Sequence, residues 1–160
     1  MVTLRPVDNS NIWEVAELDV RPDQQNLVMT ATDSILECYG IEKSGGWAAP
    51  FGIYDGDTAV GFVMFTFGEK PCEWNPDCAK GTYEIDRFYI DRRYQGKGYG
   101  KAGIRAAVDY IRTLPCGPAP MCWIAYKPGN DIAARLYASA GFVETDMRNY
   151  EEIIAVLPLT

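Results

Sequence analysis

Between residues 83 and 111 the chain changes its hydrophobic period across a run of glycines, and this limits the folds open to it. Tyr83–Ile90 (YEIDRFYI) is rich in aromatic and β-branched residues and reads as a strand. After Gln95-Gly96-Lys97-Gly98-Tyr99-Gly100, the residues Ile104, Ala107, Val108 and Ile111 share one helical face until Pro115 closes the segment. A strand that feeds a helix through glycines belongs to an α/β sheet. Glycine lets another group approach the backbone closely, and the free N–H groups at a helix start face an anion, so the loop is a candidate pyrophosphate cradle. The run lacks the Lys-Ser/Thr pair of a P-loop and the register of a dinucleotide-binding GxGxxG turn.

The remaining segments fit one α/β domain over residues 1–160. Residues 2–7 alternate as a short strand, and Asp8, Asn9 and Ser10 are candidate caps for a helix over Ile12–Asp19. Pro22 suits the first turn of a second helix whose apolar positions, from Leu27 to Tyr39, repeat at helical spacing until Gly40. A loop with Gly45, Gly46 and Pro50 follows. Phe51–Tyr54 and Ala59–Phe67 flank an Asp55-Gly56-Asp57 turn and predict a hairpin, whereas residues 68–81 have no periodicity and read as a loop. Beyond the central helix come a strand at Met121–Tyr126, a helix at Asn130–Ala140 stopped by Gly141, and strands at Phe142–Arg148 and Ile153–Leu157.

The chemistry is bounded by a count of zero: the chain has no histidine, which excludes a Ser-His-Asp triad, a Cys-His dyad and any His-ligated metal. Proton transfer falls to carboxylates, Tyr, Lys or Cys. Fifteen Lys and Arg against 22 Asp and Glu give a formal charge of -7, which disfavours nucleic acid and anionic membranes and suits a cationic small molecule. The five cysteines form no CxxC pair and read as reduced thiols, with Cys122 a small buried hydrophobe rather than a nucleophile. No signal peptide or apolar span is evident in the sequence, so the expectation is a cytoplasmic protein without metal.

Gln95-x-x-Gly98-x-Gly100 resembles the acetyl-CoA signature of the GCN5-related N-acetyltransferase (GNAT) family, Gln/Arg-x-x-Gly-x-Gly/Ala at the same strand-to-helix junction. Asn130-x-x-Ala133-x-x-x-Tyr137, leading into Gly141-Phe142, resembles the second hallmark of that family. Within it, the segments Leu4–Asp19, Val20–Val28, Pro50–Gly56, Gly61–Met64 and Ile85–Phe88 are most similar to bacterial diamine, spermidine and spermine acetyltransferases. The resemblance implies a mixed central sheet with splayed central strands flanked by helices. It also implies acetyl-CoA as co-substrate, direct transfer to a primary amine, and a polyamine acceptor. A protein N-terminus, a lysine, an aminoglycoside or a module that binds acyl-CoA without turnover are the alternatives. Members commonly dimerise, so a homodimer is admitted too.

By the same resemblance, Phe88, Tyr89 and Ile90 lie along the pantetheine arm, and the backbone N–H groups of Gln95, Gly96, Lys97, Gly98, Tyr99 and Gly100 hold the pyrophosphate. Lys101 adds charge at the helix start; Lys97 is either a further phosphate contact or a solvated lysine. Asn130 bonds the cofactor arm, caps its helix, or does both. An ammonium of pKa near ~10 must lose its proton before it attacks, and Glu84 stands where some members place the base. Asp86 shares its face of the strand, so both carboxylates are candidate acceptor-site residues; the alternatives are ordinary exposed strand residues, an ion pair with Arg87, and a water relay in place of direct contact. Tyr137 is the candidate acid for the leaving thiolate, or else a packed aromatic. Asp33, Glu37, Trp47 and Tyr54 complete the candidates for acceptor binding.

Overall fold

The computed structural model describes residues 1–160 and contains a seven-stranded mixed sheet flanked by helices. Its elements are β1 (Val2–Pro6), α1 (Ile12–Ala16), α2 (Ala31–Lys43), β2 (Trp47–Asp55), β3 (Thr58–Phe67), β4 (Tyr83–Ile90), α3 (Tyr99–Ile111), β5 (Met121–Tyr126), α4 (Asp131–Ser139), β6 (Val143–Asn149) and β7 (Glu152–Pro158). The strand order is β1-β2-β3-β4-β5-β7-β6, and only β4 and β5 run parallel. Such a parallel pair needs a crossover, which the glycine loop and α3 supply.

Two apolar layers cover the sheet. One gathers Val63 and Phe65 of β3 and Ile85, Phe88 and Ile90 of β4 against Ile104, Ala107 and Ile111 of α3. The other gathers Phe62, Met64 and Tyr89 with Val15 of α1 and Ala31, Cys38 and Ile41 of α2. Strict alternation would put Ile85 and Tyr89 on one side. It is broken between Met64 and Phe65, which oppose Arg87 and Ile85 respectively, so Asp86 has no partner on β3 and forms a bulge. Beyond the bulge the parity of β4 is reversed. Glu84 and Arg87 therefore face the α2 side together.

The β4–β5 ladder is short. Tyr83, Glu84 and Ile85 pair with Cys122, Trp123 and Ile124, and the strands then separate, leaving Asp86–Ile90 without a neighbour on that side. This splay confirms the sheet expected from the family resemblance.

Two local expectations are corrected. Pro22 opens only a short 3-10 turn, Pro22–Gln24; the helix proper starts nine residues after Pro22, at Ala31, where extended Thr30 caps it through its side chain (Asp33 N–H to Thr30 Oγ1, 3.0 Å). It also runs past Gly40 to Lys43. Pro50 lies within β2 rather than in a loop. Its carbonyl accepts from Val7 N–H just beyond the end of β1, so its missing donor falls where the ladder is already ending.

Candidate functional site

The splay opens into a cleft of about 1050 Å³ that runs from the start of α3 to the segment between β3 and β4. At one end lie Gln95, Gly96 and Gly100 of the glycine loop. Gly96 and Gly98 have φ of +75° and +87°, conformations open to glycine, and nothing else stands within reach of an added Cβ at either position. Backbone conformation is what these positions demand. Gly98 caps α3, whose first-turn N–H groups have no intrahelical acceptor and are open to an anion. The Gln95 side chain donates to Gln24 Oε1 and to Ile90 O, both at 2.9 Å, tying the loop to the end of β4.

The side chains of the other loop candidates point elsewhere. Lys97 is exposed beside the Tyr94 ring, Tyr99 donates to Asp55 at 2.6 Å, and Lys101 lines a small separate hollow with Arg105 and Ser139. From this loop only Gln95, Gly96 and Gly100 line the cleft.

Midway, Phe88, Tyr89, Ile90, Asn130 and Tyr137 line the cleft. Asn130 Oδ1 caps α4 by accepting from Ala133 N–H at 3.3 Å, which leaves its amide N–H₂ without a protein partner. Tyr137 is buried between Phe88, Tyr126 and Phe142, and no protein group hydrogen-bonds its hydroxyl. Burial pushes its phenol well above the ordinary value, so it holds its proton throughout the neutral range.

The far end is a charged cluster. Lys70 Nζ lies 3.2 Å from Glu84 Oε1 and 2.7 Å from Asp86 Oδ2, and Arg87 bonds Asp86 Oδ1 and, at 2.7 Å, Glu37 Oε2. Three carboxyl groups thus face two cations. Burial, with the neighbouring Asp86 charge, pushes Glu84 up to about 8, while Lys70 and Arg87 pull against that rise. A group of that pKa exchanges protons near neutrality, as a general base must. The pairing with Arg87 that was an alternative for these carboxylates holds for Asp86.

Asp33 and Glu37 line the cleft, but Trp47 and Tyr54 do not. Trp47 packs edge-on to Tyr83 on the α3 side, and Tyr54 is buried under Arg5 with its hydroxyl donating to Glu14 at 3.1 Å. The aromatic wall comes instead from Trp74 and Tyr150, which sequence reasoning missed. They are 53% and 68% exposed, yet their rings meet at 4.9 Å across the cleft mouth. Glu73 and Glu152 stand beside them in the chain, line the same cleft and make no salt bridge; Asp33 makes none either.

A sheet opened beside a glycine-capped helix start, with a proton-holding phenol and a near-neutral carboxyl in one cleft, has the parts that the acyl transfer implied by the family resemblance calls for. Residues 12–142 match the acetyltransferase (GNAT) family, and the chain belongs to it. It is an N-acetyltransferase with acetyl-CoA as co-substrate. It is 30% identical over 141 residues, 88% of this chain and 87% of the other, to the spermine/spermidine N(1)-acetyltransferase of Bacillus subtilis strain 168. Its fold is similar to that of a Vibrio cholerae spermidine N-acetyltransferase in complex with CoA and spermine (TM-score 0.67, 18% identity, 99% and 95% of the chains covered). It is also similar to the aminoglycoside acetyltransferase AAC(6')-Ib in complex with coenzyme A and kanamycin (TM-score 0.72, 20% identity, 99% and 95% covered). No helix is long and apolar enough to cross a membrane, and no group of three or more Cys, Asp or Glu is arranged to hold a metal ion.

Proposed function

We propose that the acceptor is a polyamine, a diamine, spermidine or spermine, acetylated on a primary amine by direct transfer. The observation that carries this reading is the cleft mouth, where the mutually tilted rings of Trp74 and Tyr150 alternate with the unpaired Glu73 and Glu152. A flexible chain of methylenes and ammonium groups matches that alternation, because aromatic faces hold both hydrocarbon and cations while carboxylates hold cations alone. The relation to the Bacillus enzyme supports the same choice.

Acetyl-CoA supplies the acetyl group as a thioester. The N–H groups at the start of α3 and the loop from Gln95 to Gly100 hold its pyrophosphate, and Phe88, Tyr89, Ile90 and Asn130 flank its arm in the gap beside β4. Glu84 takes the proton of the bound ammonium, directly or through a water, which frees the nitrogen lone pair for attack on the thioester carbon. As the N–C bond forms and the C–S bond breaks, Tyr137 gives its proton to the departing sulfur, and the acylated nitrogen sheds its second proton, which restores the phenol. Cys122 plays no part, since its buried thiol is held well above its ordinary pKa and lies off the cleft.

The test is thiol release from acetyl-CoA with putrescine, spermidine, spermine, lysine and kanamycin. Turnover led by the polyamines is expected. Inert polyamines beside a turned-over aminoglycoside or lysine would overturn the acceptor and leave the acetyltransferase in place.

A further inference from the structure

Lys70 belongs to no family motif quoted above, yet it reaches the deepest charged point of the cleft. Its side chain is 11% exposed, and its backbone is pinned by a single residue: Lys70 N–H donates to Asn75 Oδ1 at 2.8 Å, and Asn75 Nδ2 donates back to Lys70 O at 2.9 Å. Asn75 Nδ2 also donates to Glu73 O at 3.0 Å, so the turn holds its own shape. A lysine fixed this way is a built part of the site rather than a solvated surface charge.

Its position on Glu84 is selective. Thr66 Oγ1 donates to Glu84 Oε1 at 3.2 Å, and Lys70 Nζ approaches the same oxygen at 3.2 Å. No protein donor hydrogen-bonds Oε2. Two contacts on one oxygen leave the other free to receive a proton from the cleft.

We propose that Lys70 is the positioning residue of the base: it holds Oε1 of Glu84 and leaves Oε2 to the acceptor amine. This rests on the reading of Glu84 as base. The charges that bear on Glu84 come from every element packed there. Asp86 and Arg87 lie on β4, Lys70 and Cys78 precede it, Cys122 lies on β5, Glu37 sits behind Arg87 on α2, and Glu152 lines the cleft from β7. Among them Lys70 is the strongest opposition to the combined push of burial and Asp86. Without it, two buried carboxylates share only Arg87, and the proton stays on Glu84 to higher pH.

The experiment is the pH dependence of kcat/KM for wild type, Lys70→Met, Lys70→Arg and Glu84→Gln, with acetyl-CoA and whichever amine of the panel turns over. Lys70→Met is expected to move the rising limb up by roughly one to three pH units, a ten- to thousandfold loss below the limb, and Lys70→Arg to restore most of it. Lys70→Gln keeps a polar head among the carboxylates and replaces Lys70→Met if that variant does not fold. A carboxyl ¹³C titration of Glu84, assigned by its disappearance in Glu84→Gln, reads the same shift without turnover. A limb lost in Glu84→Gln but unmoved in folded Lys70→Met or Lys70→Gln overturns the role of Lys70. A limb kept in Glu84→Gln overturns the base reading itself, and the proposal falls with it.

Discussion

Tyr137 of α4 stands edge-on to Phe88 of β4, ring centroids 6.4 Å apart, and so is packed against the strand that leaves the ladder. The contact fixes the ring while its hydroxyl keeps no protein partner, which separates the packing role of this residue from its chemical one.

Tyr137→Phe keeps the ring and removes the acid. General acids contribute roughly 10²–10⁴-fold, so kcat is expected to fall by about that factor. Thermal unfolding should stay close to wild type, since no internal hydrogen bond is lost. A variant that retains full thiol release would remove Tyr137 from the mechanism.

The stability of the protein is expected to depend on Glu84. Its carboxyl is raised from 4.5 to about 8 in the folded chain, mainly by burial. The folded state therefore keeps a proton that the unfolded chain releases, and this contribution to stability is full below pH ~4.5 and is lost as the pH rises to ~8. Denaturant unfolding of wild type should show that decline, and Glu84→Gln, which mimics the protonated form, should flatten it. Parallel curves for the two proteins would contradict the shift.

Trp74→Ala removes one half of the aromatic pair at the cleft mouth. Cation-aromatic contacts of roughly 0.5–2 kcal/mol translate to about a two- to thirtyfold rise in KM for the amine. The KM for acetyl-CoA should not change, because Trp74 lies at the opposite end of the cleft from the glycine loop. Equal effects on both substrates would argue for a general disturbance of the loop.

Gly98→Ala tests the other end. With φ at +87° and open space around it, the new methyl meets no neighbour and the cost is conformational. Relaxation of the loop to avoid a strain of roughly 1–2 kcal/mol should raise KM for acetyl-CoA about tenfold and leave the amine KM alone. An unchanged KM for acetyl-CoA in steady-state kinetics would show that the loop geometry is not needed for binding.

The strands and the two motifs were legible because local period and glycine placement determine them: Tyr83–Ile90 and α3 lie where their patterns put them. The start of α2 was not, since Thr30 halts the helix through a side-chain cap whose geometry the spacing of Leu27 and Val28 does not reveal. Trp47 and Tyr54 were misplaced because a strand pattern shows alternation without saying which layer each side covers. Lys70, Glu73 and Trp74 lay in a segment without periodicity, Tyr150 comes from the β6–β7 turn, and Glu152 opens β7. Only folding brings those two stretches together, so no spacing along the chain announced the aromatic end of the cleft.

The bulge at Asp86 makes β4 a strand of two phases. Residues before it and after it keep to opposite parity rules, and one unpaired residue holds the phases apart. Deleting Asp86 would restore regular alternation and leave Phe88 and Ile90 on the α3 side and Tyr89 on the other, because Arg87 and Ile85 already oppose adjacent residues of β3. Straightening the strand with Asp86 retained is what would exchange the contents of both cores, turning Phe88 and Ile90 away from α3 and Tyr89 towards it.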